Sequence, residues 1–162
     1  MATSLEELKV LQVAEGIADG IWTQVVRWDE FPRDVVGKQL TRAADSIGAN
    51  IAESFGRFNY GEKLQFLYYA RGSLFETKYW LNRTSARNLL PSSETKNYVS
   101  QLTDLARQLN AFASNLKSQR RDEHHPKAIR EAPAEYVVWT QDDTSPLFTQ
   151  ADLEWLESIS NL

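Results

Sequence analysis

Apolar residues recur along this chain in steps of three and four, the spacing that places side chains on one face of an α-helix. Four segments with this spacing predict helices near residues 5–28, 34–58, 61–88 and 93–117. In the fourth segment the steps alternate strictly between four and three, at Tyr98, Leu102, Leu105, Leu109, Phe112 and Leu116. Short connections between four helices favour an all-α fold, an antiparallel up-down four-helix bundle over residues 1–116.

The second and third helices are expected to form a hairpin. Asn59 is placed to cap the third helix, with Glu62 completing a capping box. The reversal brings Arg71, which lies on an apolar face, opposite Asn50 and within reach of Glu53. Because an unpaired buried charge costs several kcal/mol, we predict that Asn50, Glu53 and Arg71 form one polar cluster. We interpret the cluster as a structural network that fixes helix register.

The third helix carries two apolar faces, although a small bundle core covers only one side of a helix. The first face contains the leucines expected in the core, with Arg71 among them. The second face is expected to pack against another copy of the chain, through Phe66, Tyr69, Ser73 and Trp80.

The composition changes after Leu116. Residues 117–130 carry five basic and two acidic side chains, whereas residues 131–162 carry seven acidic and no basic ones. We therefore predict a C-terminal extension over residues 117–162, basic at first and then acidic.

The extension is expected to end in a short helix near residues 150–160, capped by Thr149 and Asp152. We expect this helix to dock on its own or a neighbouring subunit. The docking side chains would be Leu153, Trp155, Leu156 and Ile159.

The side-chain chemistry favours a protein that is not an enzyme. The chain has no cysteine, which excludes disulfides, thiol catalysis and thiolate zinc sites. Its two histidines, His124 and His125, are adjacent and have no second ligand cluster, so we predict no metal site. Glu53 and Glu76 lack the pocket that an acid/base pair needs. We expect no catalytic residue, no metal and no cofactor.

We also expect a cytoplasmic protein with no membrane partner. No segment approaches the roughly 20 consecutive apolar residues that a membrane-spanning helix needs. The first residues, MATSLEELKV, lack the basic start and apolar run of a signal peptide. The absence of cysteine suits a reducing compartment.

Two runs in the hairpin resemble a known family. RAADSIGANIAESFGR at residues 42–57, followed by FLYYARGSLFE at 66–76, is similar to the pattern of 23S rRNA intervening-sequence proteins. Gly48 and Ser54 depart from it, where the family often has proline and glycine. The resemblance extends to accessory variability proteins of diversity-generating retroelements. It implies a four-helix bundle assembled into a ring-shaped pentamer, with nucleic acid or a reverse transcriptase as partner in some members and no enzyme activity.

Two non-enzymatic functions follow, and a ring with no partner beyond itself also stays open. A scaffold that binds a protein partner is favoured by the acidic pI of 5.3 and the net charge of −4. The alternative is a nucleic-acid-binding ring, accessory to a reverse transcriptase or an rRNA intervening sequence. Its basic candidates would recur around the symmetry axis and add their fields: Lys38, Arg42, Arg57, Lys63 and Arg83.

Overall fold

The computed structural model describes residues 8–123 and 144–158, with the backbone alone for 121–123. These residues contain helices and turns and no strand, which confirms the predicted all-α class. The five principal helices are α1 (Lys9–Val25), α2 (Lys38–Gly56), α3 (Tyr60–Ala86), α4 (Ser92–Glu123) and α5 (Gln150–Glu157).

The second helix begins earlier than its apolar spacing predicts. A helical turn at Glu30–Pro32 leads through a π-helical turn at Arg33–Gly37 directly into α2. Proline is tolerated there because the first turn of a helix needs no N–H from it. Gly37 is required by a close approach, since a Cβ on it would lie 2.5 Å from Val25 Cγ1.

The connection between α2 and α3 is a short turn, and two hydrogen bonds join the helices. Ser54 Oγ donates to the Lys63 carbonyl oxygen at 2.8 Å, and Asn50 Nδ2 donates to Ser73 Oγ at 3.4 Å. Asn59 occupies the N-cap position of α3, but its side chain makes no capping hydrogen bond to the described residues of that helix. The predicted capping box is therefore wrong.

The apolar core lies between the four long helices. In order, α1 contacts α2, α2 contacts α3, α3 contacts α4, and α4 also contacts α1. Each fully buried leucine or isoleucine contributes about 1.5–3 kcal/mol. The largest of these side chains are Ile17, Ile21, Leu40, Ile47, Ile51, Leu67, Leu74, Leu81, Leu102 and Leu105.

The last described residues, 144–158, are called the terminal segment below. Thr149 Oγ1 accepts from the Asp152 N–H at 3.2 Å, and Asp152 Oδ2 accepts from the Thr149 N–H at 2.8 Å. This reciprocal pair confirms the predicted cap of α5. The segment contacts α4, and its buried side chains Leu147, Phe148 and Leu156 belong to the same core as the long helices.

None of the described helices combines the length and apolar content needed to cross a membrane.

Candidate interaction surfaces

The terminal segment covers a groove between α3 and α4, called the α3–α4 groove. Phe148 is fully buried there, with its ring 5.9 Å from that of Phe75. Trp155 also packs on Phe75, with ring centroids 5.2 Å apart. The α3–α4 groove is formed by Arg71, Phe75 and Lys78 of α3 and by Arg107, Asn110 and Lys117 of α4.

The main chain of the segment is held by side chains of α4. Asn110 Oδ1 accepts from the Phe148 N–H at 2.6 Å, and Asn110 Nδ2 donates to the Phe148 carbonyl oxygen at 2.8 Å. Lys117 Nζ donates to the Ser145 carbonyl oxygen at 2.7 Å. These bonds satisfy backbone groups that would otherwise lose their water partners on burial.

Arg71 joins α3 to α5. Its Nη2 lies 3.1 Å from Asp152 Oδ2, and its guanidinium stacks 4.7 Å from the ring centroid of Phe75. Partial burial acts to raise the pKa of Asp152. The hydrogen bonds from Thr149 and Arg71 outweigh that effect and hold this pKa below its usual value.

The predicted cluster of Asn50, Glu53 and Arg71 is therefore wrong. Glu53 pairs with Arg57 on its own helix, and Arg71 pairs with a residue of the terminal segment. Asn50 bonds to the Ser46 carbonyl oxygen at 2.8 Å and to Ser73. The physical reason is that Arg71 faces the terminal segment rather than α2.

A second cation in the α3–α4 groove, Lys78, is completely buried. Its Nζ donates to Asn82 Oδ1 at 3.1 Å and to the Ser158 carbonyl oxygen, and lies 5.5 Å from the ring centroid of Trp155. None of these three neighbours is a carboxylate. Burial therefore lowers the pKa of Lys78 from 10.5 to about 8.

The predicted docking side chains differ in their contribution. Leu156 is fully buried and Leu153 packs against the core, whereas Trp155 remains 42% exposed. Ile159 lies outside the described residues. Sequence reasoning missed Phe148, although an apolar residue just before an N-cap, with Leu153 at the fourth helical position, is the pattern of a hydrophobic staple.

The outer face of α3, defined as Gln65, Tyr69, Gly72, Glu76 and Tyr79, runs along the helix. Tyr69 and Tyr79 are 52% and 51% exposed. A Cβ added to Gly72 would meet no atom of the described residues within 4 Å. Neither Tyr79 nor Gly72 is among the interface residues that the sequence predicts.

The other predicted interface residues are partly covered within the chain. Phe66 packs edge-to-face on Tyr69, with ring centroids 5.5 Å apart. Trp80 is partly buried against the core and donates to Glu76 Oε1 at 3.4 Å. Ser73 donates to the Tyr69 carbonyl oxygen at 3.2 Å and accepts the bond from α2 described above. The exposed face is thus rotated from the predicted one.

Four further apolar side chains, at the end of α1 and in the turns that precede α2, are together called the Trp22 patch. Each is substantially exposed: Trp22, Val26, Phe31 and Val35.

The five basic candidates do not form one site. Lys38 pairs with Asp34 at 3.3 Å, and Arg42 donates to Gln39 Oε1 at 3.1 Å. Arg83, near the end of α3, lies 5.8 Å from the ring centroid of Tyr79.

Two of the candidates, Arg57 and Lys63, lie together at the turn between α2 and α3. They line one cleft, called the turn cleft, with Arg120 and with Phe58, which is 93% exposed. The Arg57 guanidinium stacks 4.6 Å from the Phe66 ring centroid. The turn cleft combines positive charge with an aromatic ring.

The groove between α1 and α2 has the opposite charge. It is lined by Glu15, Asp19 and Asp45 among alanines and Gly48. Burial, together with the charge of Asp19, raises the pKa of Asp45. This side of the molecule therefore presents acidic side chains.

Among residues 8–123 and 144–158, no three His, Cys, Asp or Glu side chains are grouped as metal ligands. Both histidines lie outside the described residues, so the prediction about them stays a prediction.

The comparison with known families agrees with the hairpin motifs. Residues 6–111 match the profile of a family described as 23S rRNA-intervening sequence protein. No curated protein matches the chain. The matched region spans α1 to α3 and most of α4, and it leaves out the terminal segment. Because the match covers more than half of the residues of this chain, the chain belongs to the 23S rRNA-intervening sequence protein family.

Proposed function

We propose that this chain is a non-enzymatic scaffold, a four-helix bundle that assembles into a ring-shaped pentamer and presents its surfaces to a protein partner. The family supports the bundle and the rRNA context. The exposed surfaces of the chain support the assembly.

The proposed bundle is antiparallel, up-down. Near the start of α1, Leu11 Cδ1 lies 3.6 Å from the position of a Cβ on Gly48, whereas Val25 at the end of α1 contacts Gly37. These two contacts support opposite directions for α1 and α2. The hydrogen bonds from Ser54 to Lys63 and from Asn50 to Ser73 support the same reversal between α2 and α3.

The observation that carries the proposed assembly is the outer face of α3. A glycine inside a helix costs about 1 kcal/mol relative to alanine, and nothing in the described part of the chain packs against Gly72. A glycine between two exposed tyrosines allows a second backbone to approach closely, while the tyrosines supply apolar contact area.

Two unlike exposed surfaces support a ring. The outer face of α3 and the Trp22 patch lie on different parts of the chain and differ in composition. Contact between one surface and a different surface of the next subunit is heterologous, and such contacts generate rings when the rotation closes. Five subunits is the number that the family resemblance implies.

The test replaces Gly72 with leucine. The Cβ of the new side chain meets open space among the described residues, so the fold should persist, but the leucine occupies the gap that a second backbone would need. The matched control is Gly16→Leu, since a Cβ on Gly16 in α1 also meets no described atom within 4 Å. Light scattering after size exclusion should show a loss of assembled mass for Gly72→Leu alone. Equal masses for the two variants and wild type would show that the outer face of α3 is not part of the interface.

A second candidate function is nucleic-acid binding at the turn cleft. Arg57, Lys63 and Arg120 suit phosphates, and the exposed Phe58 suits stacking on an unpaired base. The net charge of −4 opposes it, so we expect weak binding by the full chain.

Salt titrations with structured RNA and duplex DNA test this candidate. The wild type is compared with an Arg57→Gln, Lys63→Gln double variant. If the turn cleft binds phosphate, the variant weakens binding and lowers the slope of log K against log salt by about 0.7–0.9 for each phosphate that it no longer neutralises. Identical titrations for the two proteins would exclude the cleft.

A further inference from the structure

We infer that the α3–α4 groove is a recognition site for an acidic amphipathic helix of a partner protein, and that the terminal segment occupies it as a built-in competitor. The inference rests on the proposed scaffold function and names the kind of partner. The groove shares no residue with the outer face of α3 or with the Trp22 patch, so binding there leaves both proposed assembly surfaces in place.

The charges of the groove define the ligand. Two cations of the groove pair with carboxylates of the terminal segment, Arg71 with Asp152 and Arg107 with Glu157. Two further lysines donate to its carbonyl oxygens. The groove thus presents four cations to one segment whose described charges, Asp152, Glu154 and Glu157, are all negative. A basic helix would be rejected here.

Most of the remaining recognition is independent of sequence. Asn110 binds the N–H and carbonyl of Phe148, and Lys78 and Lys117 bind carbonyl oxygens at either end of the segment. Any chain that follows the same backbone course makes these bonds. Side-chain identity matters at the buried aromatic ring, at the carboxylate on Arg71 and at the buried Leu156.

These requirements give the partner a pattern. An aromatic residue is followed four positions later by an acidic residue, and four positions after that by leucine, as in Phe148, Asp152 and Leu156. A spacing of four places Asp152 and Leu156 on one face of a helix. Amphipathic helices bind grooves through residues that share a face in this way.

The resident segment leaves the groove incompletely satisfied. Arg71 Nε is buried and has no hydrogen-bond partner among the described residues, because Asp152 engages only Nη2. Trp155, the largest side chain of α5, remains partly exposed. A partner that supplies a bidentate carboxylate would gain an interaction that the resident lacks.

The terminal segment and its groove belong to one chain, so a partner competes with an intramolecular contact, whose strength is expressed as an effective concentration. The partner must exceed this intramolecular binding, so a weak ligand is excluded while a tight one displaces the segment. Releasing the segment should therefore strengthen binding in trans.

The experiment uses a fluorescein-labelled synthetic peptide of residues 144–158 and the full-length chain. Asp152→Lys in the chain removes both the ion pair with Arg71 and the carboxylate that caps α5, and it leaves the apolar side chains in place. A second release variant, Leu156→Ala, acts through packing instead. Fluorescence anisotropy should show at least tenfold tighter peptide binding to both release variants than to wild type. Circular dichroism of each variant checks the helices.

A matched variant tests the groove itself. Arg71→Glu combined with the Leu156→Ala release variant should lose peptide binding by tenfold or more, and a peptide carrying Asp152→Lys should not bind the Leu156→Ala chain. Equal binding to wild type and both release variants, or binding that survives Arg71→Glu, would overturn the inference.

Two outcomes distinguish this inference from docking on a second copy of the chain and from the proposed assembly. If Asp152→Lys and Leu156→Ala both lower the assembled mass, the segment occupies a second copy's groove and the partner proposal fails. If peptide binding fails while Gly72→Leu still lowers the mass, only this inference is lost and the proposed assembly stands.

Discussion

At the scale of single residues, Arg71 joins α3 to the terminal segment, with its Nη2 3.1 Å from Asp152 Oδ2. A guanidinium on an apolar helix face needs a partner, and the pattern predicts that need. It does not identify the partner, since Asp152 is 81 positions away along the chain. Helix periodicity indicates which residues of adjacent helices face each other, but it carries no information about where a distant segment docks.

We predict a coupling between these two residues. Arg71→Ala and Asp152→Asn should destabilise the chain with an interaction energy of about 1 kcal/mol in a double-mutant cycle. Asparagine keeps an oxygen for the cap of α5. Urea denaturation of the single and double variants measures the coupling. The control is Glu53→Gln, which should show none with Arg71→Ala, and a coupling to Glu53 instead would favour the pairing that the sequence predicts.

Lys78 gives a prediction with a definite sign. Its folded pKa of about 8 lies below its ordinary value of 10.5, so between these pH values the unfolded chain holds a proton that the folded chain has released. The free energy of unfolding therefore rises with pH across this window. Relative to Lys78→Met, wild type should gain on the order of 3 kcal/mol across this window, since the side chain is completely buried. A difference that stays constant from pH 7 to 10 would show that Lys78 is not desolvated.

At the scale of elements, the four long helices lie close to their predicted positions because the 3.6-residue period is strong over long segments. The ends are less well predicted. Turns near Pro32 extend the second helix toward its N-terminus, and α4 continues to Glu123. The pattern predicts that the end of the chain docks, but it misses the main anchor because Phe148 precedes the helix and falls outside its periodic pattern.

Two aromatic residues of the segment should differ in their effect on stability. Phe148→Ala should cost about 3–5 kcal/mol because it empties a fully buried site. Trp155→Ala should cost less than half of that, since its side chain is 42% exposed. Chemical denaturation compares them, and equal losses would mean that Phe148 is not an anchor of the segment.

At the scale of the whole molecule, the sequence predicts the fold class and the family that are found, and the assembly stays a prediction. α3 carries more apolar residues than one core can cover, and aromatic residues of α3 are exposed, at Tyr69 and Tyr79. The pattern does not distinguish which of two neighbouring faces the core covers, because that depends on the rotation of α3 against α2 and α4. The acidic groove between α1 and α2 and the dispersed basic candidates favour a protein partner over nucleic acid.

The subunit number tests the central proposal most directly. Sedimentation velocity of the wild-type chain at micromolar concentration should show one main species of about 92 kDa, five chains of 18.5 kDa each. Gly72→Leu should shift this species toward lower mass, while Gly16→Leu should not. A wild-type protein that sediments as a single 18.5 kDa species would contradict the proposed assembly.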